Sequence, residues 1–139
     1  MKLYTLLPSL LLSTLSFANE LPHFSDIKSA VIHGQTIHIT IDLSKCISAS
    51  NKNGPELISV YTPKAIQVFN KYMATSLTHF TLNNHSMPNK PVYDYVKYKI
   101  ADDDTLTLTY QVLNANDFTP MTDKSIYTCL LENGVTVYN

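Results

Sequence analysis

The chain has 139 residues, 45% of them hydrophobic and 15% charged, a balance that suits a folded domain and argues against disorder. That length holds one domain and not two. All ten basic residues are lysine, so the arginine forks that dominate phosphate and base recognition are missing, and nucleic acid is not an expected partner.

The first stretch, MKLYTLLPSLLLSTLSFANE, reads as a secretory signal. Lys2 precedes an apolar run from Leu3 to Leu15, and Ser16 and Ala18 are the small residues that a signal peptidase accepts. Pro8, Ser9 and Ser13 interrupt the run, which is shorter than the roughly 20 apolar residues of a spanning helix, so no stable membrane span is expected. No cysteine follows Ala18 to carry a lipid anchor. The expected layout is a signal peptide over 1–18 and a single domain over 19–139, exported to the periplasm or the medium.

Next, FSDIKSAVIHGQ (24–35) predicts a short helix. Phe24, Ile27, Ala30 and Val31 recur at helical spacing, Ser25 is the expected N-cap, and Gly34 stands where a C-cap glycine belongs. TIHITIDLSKC (36–46) then alternates like a strand, with Ile37, Ile39, Ile41 and Leu43 on one face and His38, Thr40 and Asp42 on the other. SASNKNGP (48–55) is a turn-rich loop, and ELISVYTP a short strand that ends before Pro63. KAIQVFNKYMA fits both periods and is taken as strand. SLTHFTL (76–82) alternates, with Leu77, His79 and Thr81 opposite Phe80 and Leu82.

VYDYVKYKI and TLTLTYQVL predict a hairpin. Setting Ile100 against Leu106, Tyr98 against Leu108 and Val96 against Tyr110 places apolar side chains opposite one another, with ADDDT as a five-residue connection. A polar loop, NANDFTPMTDK, leads into SIYTCLLENGVTVYN, where Asn133-Gly134 signals a two-residue hairpin. The expected fold is mainly β: an antiparallel sheet, as a sandwich or a partly open barrel, with a short N-terminal helix.

Cys46 and Cys129 are the only cysteines. In an exported chain a lone pair most simply forms one disulfide. A catalytic thiolate would need a neighbouring cation or helix N-terminus, and a zinc site more ligands at short spacing. Cys46 is therefore expected to be a staple between the end of an early strand and the C-terminal hairpin.

A helix beginning FSD, an alternating strand into IDLSKC, the YVKYKI strand with an acidic turn after it, and a terminal YTC followed by NGV together resemble the VirK family of exported bacterial proteins. The resemblance runs from about Phe24 to Val137 and is most specific at Asp42, Leu43, Lys45 and Cys46. It implies an exported domain of host-associated bacteria, named from virulence loci, with a paired cysteine and no assigned catalytic residues.

Chemistry-bearing patterns are sparse. The three glycines allow neither a nucleophile elbow nor a phosphate loop, and there is no H-E-x-x-H. His23, His33, His38, His79 and His85 are scattered and read as surface or loop residues, with a transition-metal site built by His79, His85 and another histidine as the sharper alternative. Asp102, Asp103 and Asp104 could offer oxygen ligands to weakly held calcium. Their plainer reading is a solvated hairpin tip that discourages edge aggregation. Tyr93, Tyr95, Lys97 and Lys99 share the face of their strand opposite the core, where aromatic rings beside lysines can hold a sugar or an acidic polymer. The competing expectation is that a second layer covers the tyrosines. The sequence thus points to a virulence-associated binding module whose partner is a protein or an envelope glycan. It expects no cofactor and no catalysis. The alternatives are a small secreted hydrolase with a dispersed site and an envelope assembly or chaperone factor.

Overall fold

A computed structural model describes residues 18–139, so residues 1–17 of the expected signal segment lie outside the described residues. The elements run α1 (Phe24–Ile32), β1 (His38–Asp42), β2 (Ile47–Ser48), β3 (Ile58–Tyr61), β4 (Gln67–Val68), β5 (Tyr72–Thr81), β6 (Val92–Ala101), β7 (Thr105–Asn114), β8 (Ser125–Leu131) and β9 (Gly134–Tyr138). Among the described residues the strands form one sheet in the order β3-β1-β9-β8-β7-β6-β5-β4, with β2 beside β8. The sheet curls into a half-barrel rather than a sandwich.

Helix α1 buries Phe24, Ile27 and Ala30 against the inner face of the sheet. Its C-terminus closes as the sequence predicts: Gly34, at φ +76°, donates its N–H to Val31, and Gln35 donates to Ala30. Its N-terminus does not. His23 holds the N-cap position without a cap from its own side chain, and Ser25 is not the cap. The Phe24 N–H instead donates to Asp104 Oδ1 at 2.7 Å, across 80 residues of sequence.

On β1 the isoleucines face inward, as their alternation requires: Ile39 and Ile41 are fully buried, between β3 on one side and β9 on the other. The extended run stops at Asp42, because its carboxylate accepts from both the N–H and the hydroxyl of Ser44 and bends Leu43–Lys45 into one 3-10 turn. That turn delivers Cys46 to Cys129 on β8, and the two form a disulfide with their Cα atoms 4.4 Å apart.

The β6–β7 hairpin has the expected register, with Ile100 opposite Leu106, Tyr98 opposite Leu108 and Val96 opposite Tyr110. Its connection is Asp102–Asp104, three residues rather than five, because Ala101 and Thr105 already belong to the strands. Asp104 closes it at φ +61°. KAIQVFNKYMA is neither a helix nor one strand. It is the hairpin β4–β5, and β5 runs ten residues, longer than SLTHFTL alone suggests.

Asn133-Gly134 does not make a hairpin. Glu132 and Gly134 both take positive φ and turn a corner, after which β9 pairs antiparallel with β1 and touches β8 only in two parallel pairs. The Leu131 N–H donates to the Asp104 carbonyl, which carries the β7–β8 pairing to the end of β8 before the chain turns away to join β1.

Candidate ligand-binding face

Strand β6 positions the residues that the sequence singles out. Val92, Tyr98 and Ile100 point into the core. The alternation of the strand therefore turns Tyr93, Tyr95, Lys97 and Lys99 outward over about 20 Å. Tyr93 and Tyr95 are half-buried, and both lysines are exposed. The sheet is single and α1 lies against its other face, so among the described residues no second sheet or helix covers the tyrosines; a loop covers part of the face instead, with Phe118 on Tyr93 and the Thr122 carbonyl accepting from the buried Gln111 opposite Tyr95.

These four residues do not form one site. Tyr93 belongs to an aromatic shelf: it stacks on Phe118, with centroids 5.1 Å apart, and meets the edge of Phe80 at 5.6 Å. Phe80 is 50% exposed and Phe118 57%, which leaves much of the shelf open to solvent. Tyr95 and Lys97 sit beside a shallow groove of about 330 Å³, lined also by Ala65, Gln67, Ala74 and Ser76. Lys99 is engaged elsewhere, 4.7 Å above the ring of Tyr72, which stacks on Phe69.

Phe118 is the residue that sequence reasoning missed, and a lone aromatic inside a polar loop is the signal that could have found it. Its loop is tied by its own hydrogen bonds. Asp117 accepts from the N–H and hydroxyl of Thr119, and Phe118 donates its N–H to the Asn114 carbonyl. Phe118 itself sits at φ +59°, a conformation that a bulky side chain rarely adopts, and this aims its ring at Tyr93.

Behind the shelf, on the inner side of the same strands, lies a polar cluster that the sequence did not reveal. Asn84 Nδ2 donates to Asp94 Oδ1 and to the Tyr110 hydroxyl, both at 2.7 Å, and Tyr110 donates to Asp94 at 2.9 Å. Burial, and then the Asp94 carboxylate, push the Tyr110 phenol up to about 12. The Oδ1 of Asn84 accepts from the backbone of Ser86 and Met87, so the cluster fastens the β5–β6 loop to the sheet.

The acidic tip is also not the free surface that its sequence suggests. Asp104 Oδ2 pairs with His23 at 2.9 Å while Oδ1 holds the helix N-terminus. Asp103 caps its own turn through the N–H and hydroxyl of Thr105. Among the described residues no three His, Cys, Asp or Glu side chains gather in a way that could hold a metal ion, and neither Asp102–Asp104 nor His79 and His85 do so. The other histidine contacts are His33 with the Ser29 carbonyl and His38 with the Thr62 hydroxyl.

A family model described as VirK protein matches residues 20–118. The match ends before Cys129. The crystal structure of a VirK family protein from Legionella pneumophila is similar over more of the chain: 28% identity, a TM-score of 0.78, and coverage of 86% of this chain and 98% of that one. No curated protein matches.

Proposed function

This chain belongs to the VirK family, and from that premise we propose that it is an exported binding module of the bacterial envelope or host interface, acting in virulence through contact rather than catalysis. The observation that carries this reading is the outer face of β6, where the Phe80–Tyr93–Phe118 shelf and the Tyr95–Lys97 groove stand side by side, in part open to solvent. Flat aromatic rings with a neighbouring cation suit a partner that offers apolar or sugar surface together with negative charge. Export is supported by the disulfide and by the signal-like N-terminal sequence. No helix among the described residues is long and apolar enough to cross a membrane.

The test is crosslinking in the native bacterium, with periplasm and medium separated, using the full precursor and its Tyr93→Ser/Tyr95→Ser variant. A functional face predicts one specific adduct that the variant loses while keeping its melting temperature. An adduct that survives in the variant, or a variant that no longer folds, would remove the face from the function.

A further inference from the structure

We infer that the partner of this face is an extended, acidic polypeptide segment that adds as a strand to the open edge of β5; the inference rests on the outer face of β5 and β6 being the binding surface.

Backbone direction supplies the first argument. Strand residues point their N–H and C=O alternately to either side. Phe69 donates its N–H to the Tyr72 carbonyl at 2.8 Å, which sets the direction for β5: Tyr72, Ala74, Ser76, Thr78 and Phe80 present their backbone groups away from β6. Strand β4 covers that edge only at Met73 and Ala74. The Ser76 carbonyl accepts from the Tyr61 hydroxyl at 3.1 Å, which confirms the direction. No strand or loop among the described residues pairs with the backbone of Thr78 or Phe80 on that side. Natural edges are usually blunted by a lysine, a proline or a bulge. From Thr75 to Thr81 this edge has none of them.

Charge supplies the second argument. The outward positions of β5, β6 and β7 hold no carboxylate: Tyr72 to Phe80, Tyr93 to Ala101 and Thr105 to Leu113 in alternation are aromatic, hydroxylic, amide, small, Leu113, or the two lysines. The ion pairs among the described residues, His23–Asp104 and Lys45–Asp42, lie elsewhere. Lys97 borders the groove that begins where β4 stops, so an added strand would lay its outward side chains along Lys97 at one end and the Phe80 ring at the other. A segment whose outward residues, every second one along the strand, run from carboxylates at the Lys97 end to apolar side chains at the Phe80 end satisfies the backbone, the cation and the shelf together.

The probe is a short fluorescent peptide whose every second residue runs from glutamate at one end to valine at the other, with threonine between, titrated onto the oxidised chain by anisotropy. Its comparators are a twin N-methylated at alternate residues and a counterpart with lysine in place of each glutamate. N-methylation should weaken binding at least about tenfold, as should Thr78→Pro, which deletes one outward N–H at a position where an edge strand tolerates proline. Lys97→Glu should reverse the preference toward the lysine peptide. Equal binding of the N-methylated twin overturns the inference even if Thr78→Pro fails to fold. If the peptide does not bind while lipopolysaccharide micelles or peptidoglycan fragments bind in a Tyr93-dependent way, strand addition is wrong and the binding face stands. Binding of none of these probes overturns both.

Discussion

The β6–β7 hairpin has two ends about 30 Å apart, and they treat their most conspicuous side chains in opposite ways. At the tip, Asp104 is taken up by structure: one oxygen holds the Phe24 N–H and the other pairs with His23. Close by, Leu106 lies beside Cys129 and the disulfide. At the far end, Tyr93, Phe80 and Phe118 pack on one another and still face solvent. A residue that looks reactive in sequence is spent on the fold where the chain must fasten a distant element. It remains available where its neighbours are already fastened by other means, here by Asn84, Asp94 and Tyr110.

Breaking the closed end should have the largest effect. The disulfide joins residues 83 apart, and on the chain-entropy view a loop of that size contributes about 4.5 kcal/mol. For a domain stable by about 5–15 kcal/mol, replacing Cys46 and Cys129 by alanine should bring denaturation close to ambient conditions. Urea titration of the variant against the oxidised parent measures this. A midpoint that does not move would mean that the staple constrains nothing.

Asp104 comes next. Asp104→Ala removes the side chain that accepts the Phe24 N–H at the N-terminus of α1, a loss of about 1 kcal/mol or about 4 °C in melting temperature for a domain of this size. The pH profile sharpens the assignment. The Phe24 N–H, and then His23, hold the Asp104 carboxyl below its ordinary range, so its contribution is present above about pH 4 and disappears as pH falls through the lowered value. The Asp104 hydrogen bond raises His23, so that contribution is present below about pH 6.5 and is lost as pH rises through the raised value. The stability difference between the parent and Asp104→Asn should therefore peak near pH ~5 and shrink on both sides. A flat difference would place the helix anchor elsewhere.

How much of this was legible follows from range. The β6–β7 register and the inward isoleucines of β1 could be read because alternation and a short turn are local, and a one-residue slip would expose every core side chain. The cysteine pair could be read from its count. The Asp104 cap could not, because its partner is 80 residues away and nothing in ADDDT marks one aspartate of three. Asn133-Gly134 misled for a related reason: the same left-handed glycine serves a hairpin or a corner, and the choice is made by β1, which β9 joins. Tyr93, Tyr95, Lys97 and Lys99 were placed on the correct face, but their division into shelf, groove and the Tyr72 contact depends on Phe80, Phe118 and β4.

The smallest stability effect should come from Phe118→Gly, and the comparison with Phe118→Ala is the informative one. Its left-handed backbone costs about 1 kcal/mol relative to glycine, and its stacking on Tyr93 returns about 0.5–1.5 kcal/mol. Phe118→Gly loses both and should leave the melting temperature nearly unchanged. Phe118→Ala keeps the strained backbone and loses the ring, so it should be less stable than the glycine variant by about 1 kcal/mol. Both should lose the crosslinked partner equally if the ring belongs to a binding surface. A partner retained by both variants would mean that the strain at Phe118 serves the fold of its loop, and that the far end of the hairpin is structural in the same sense as the tip.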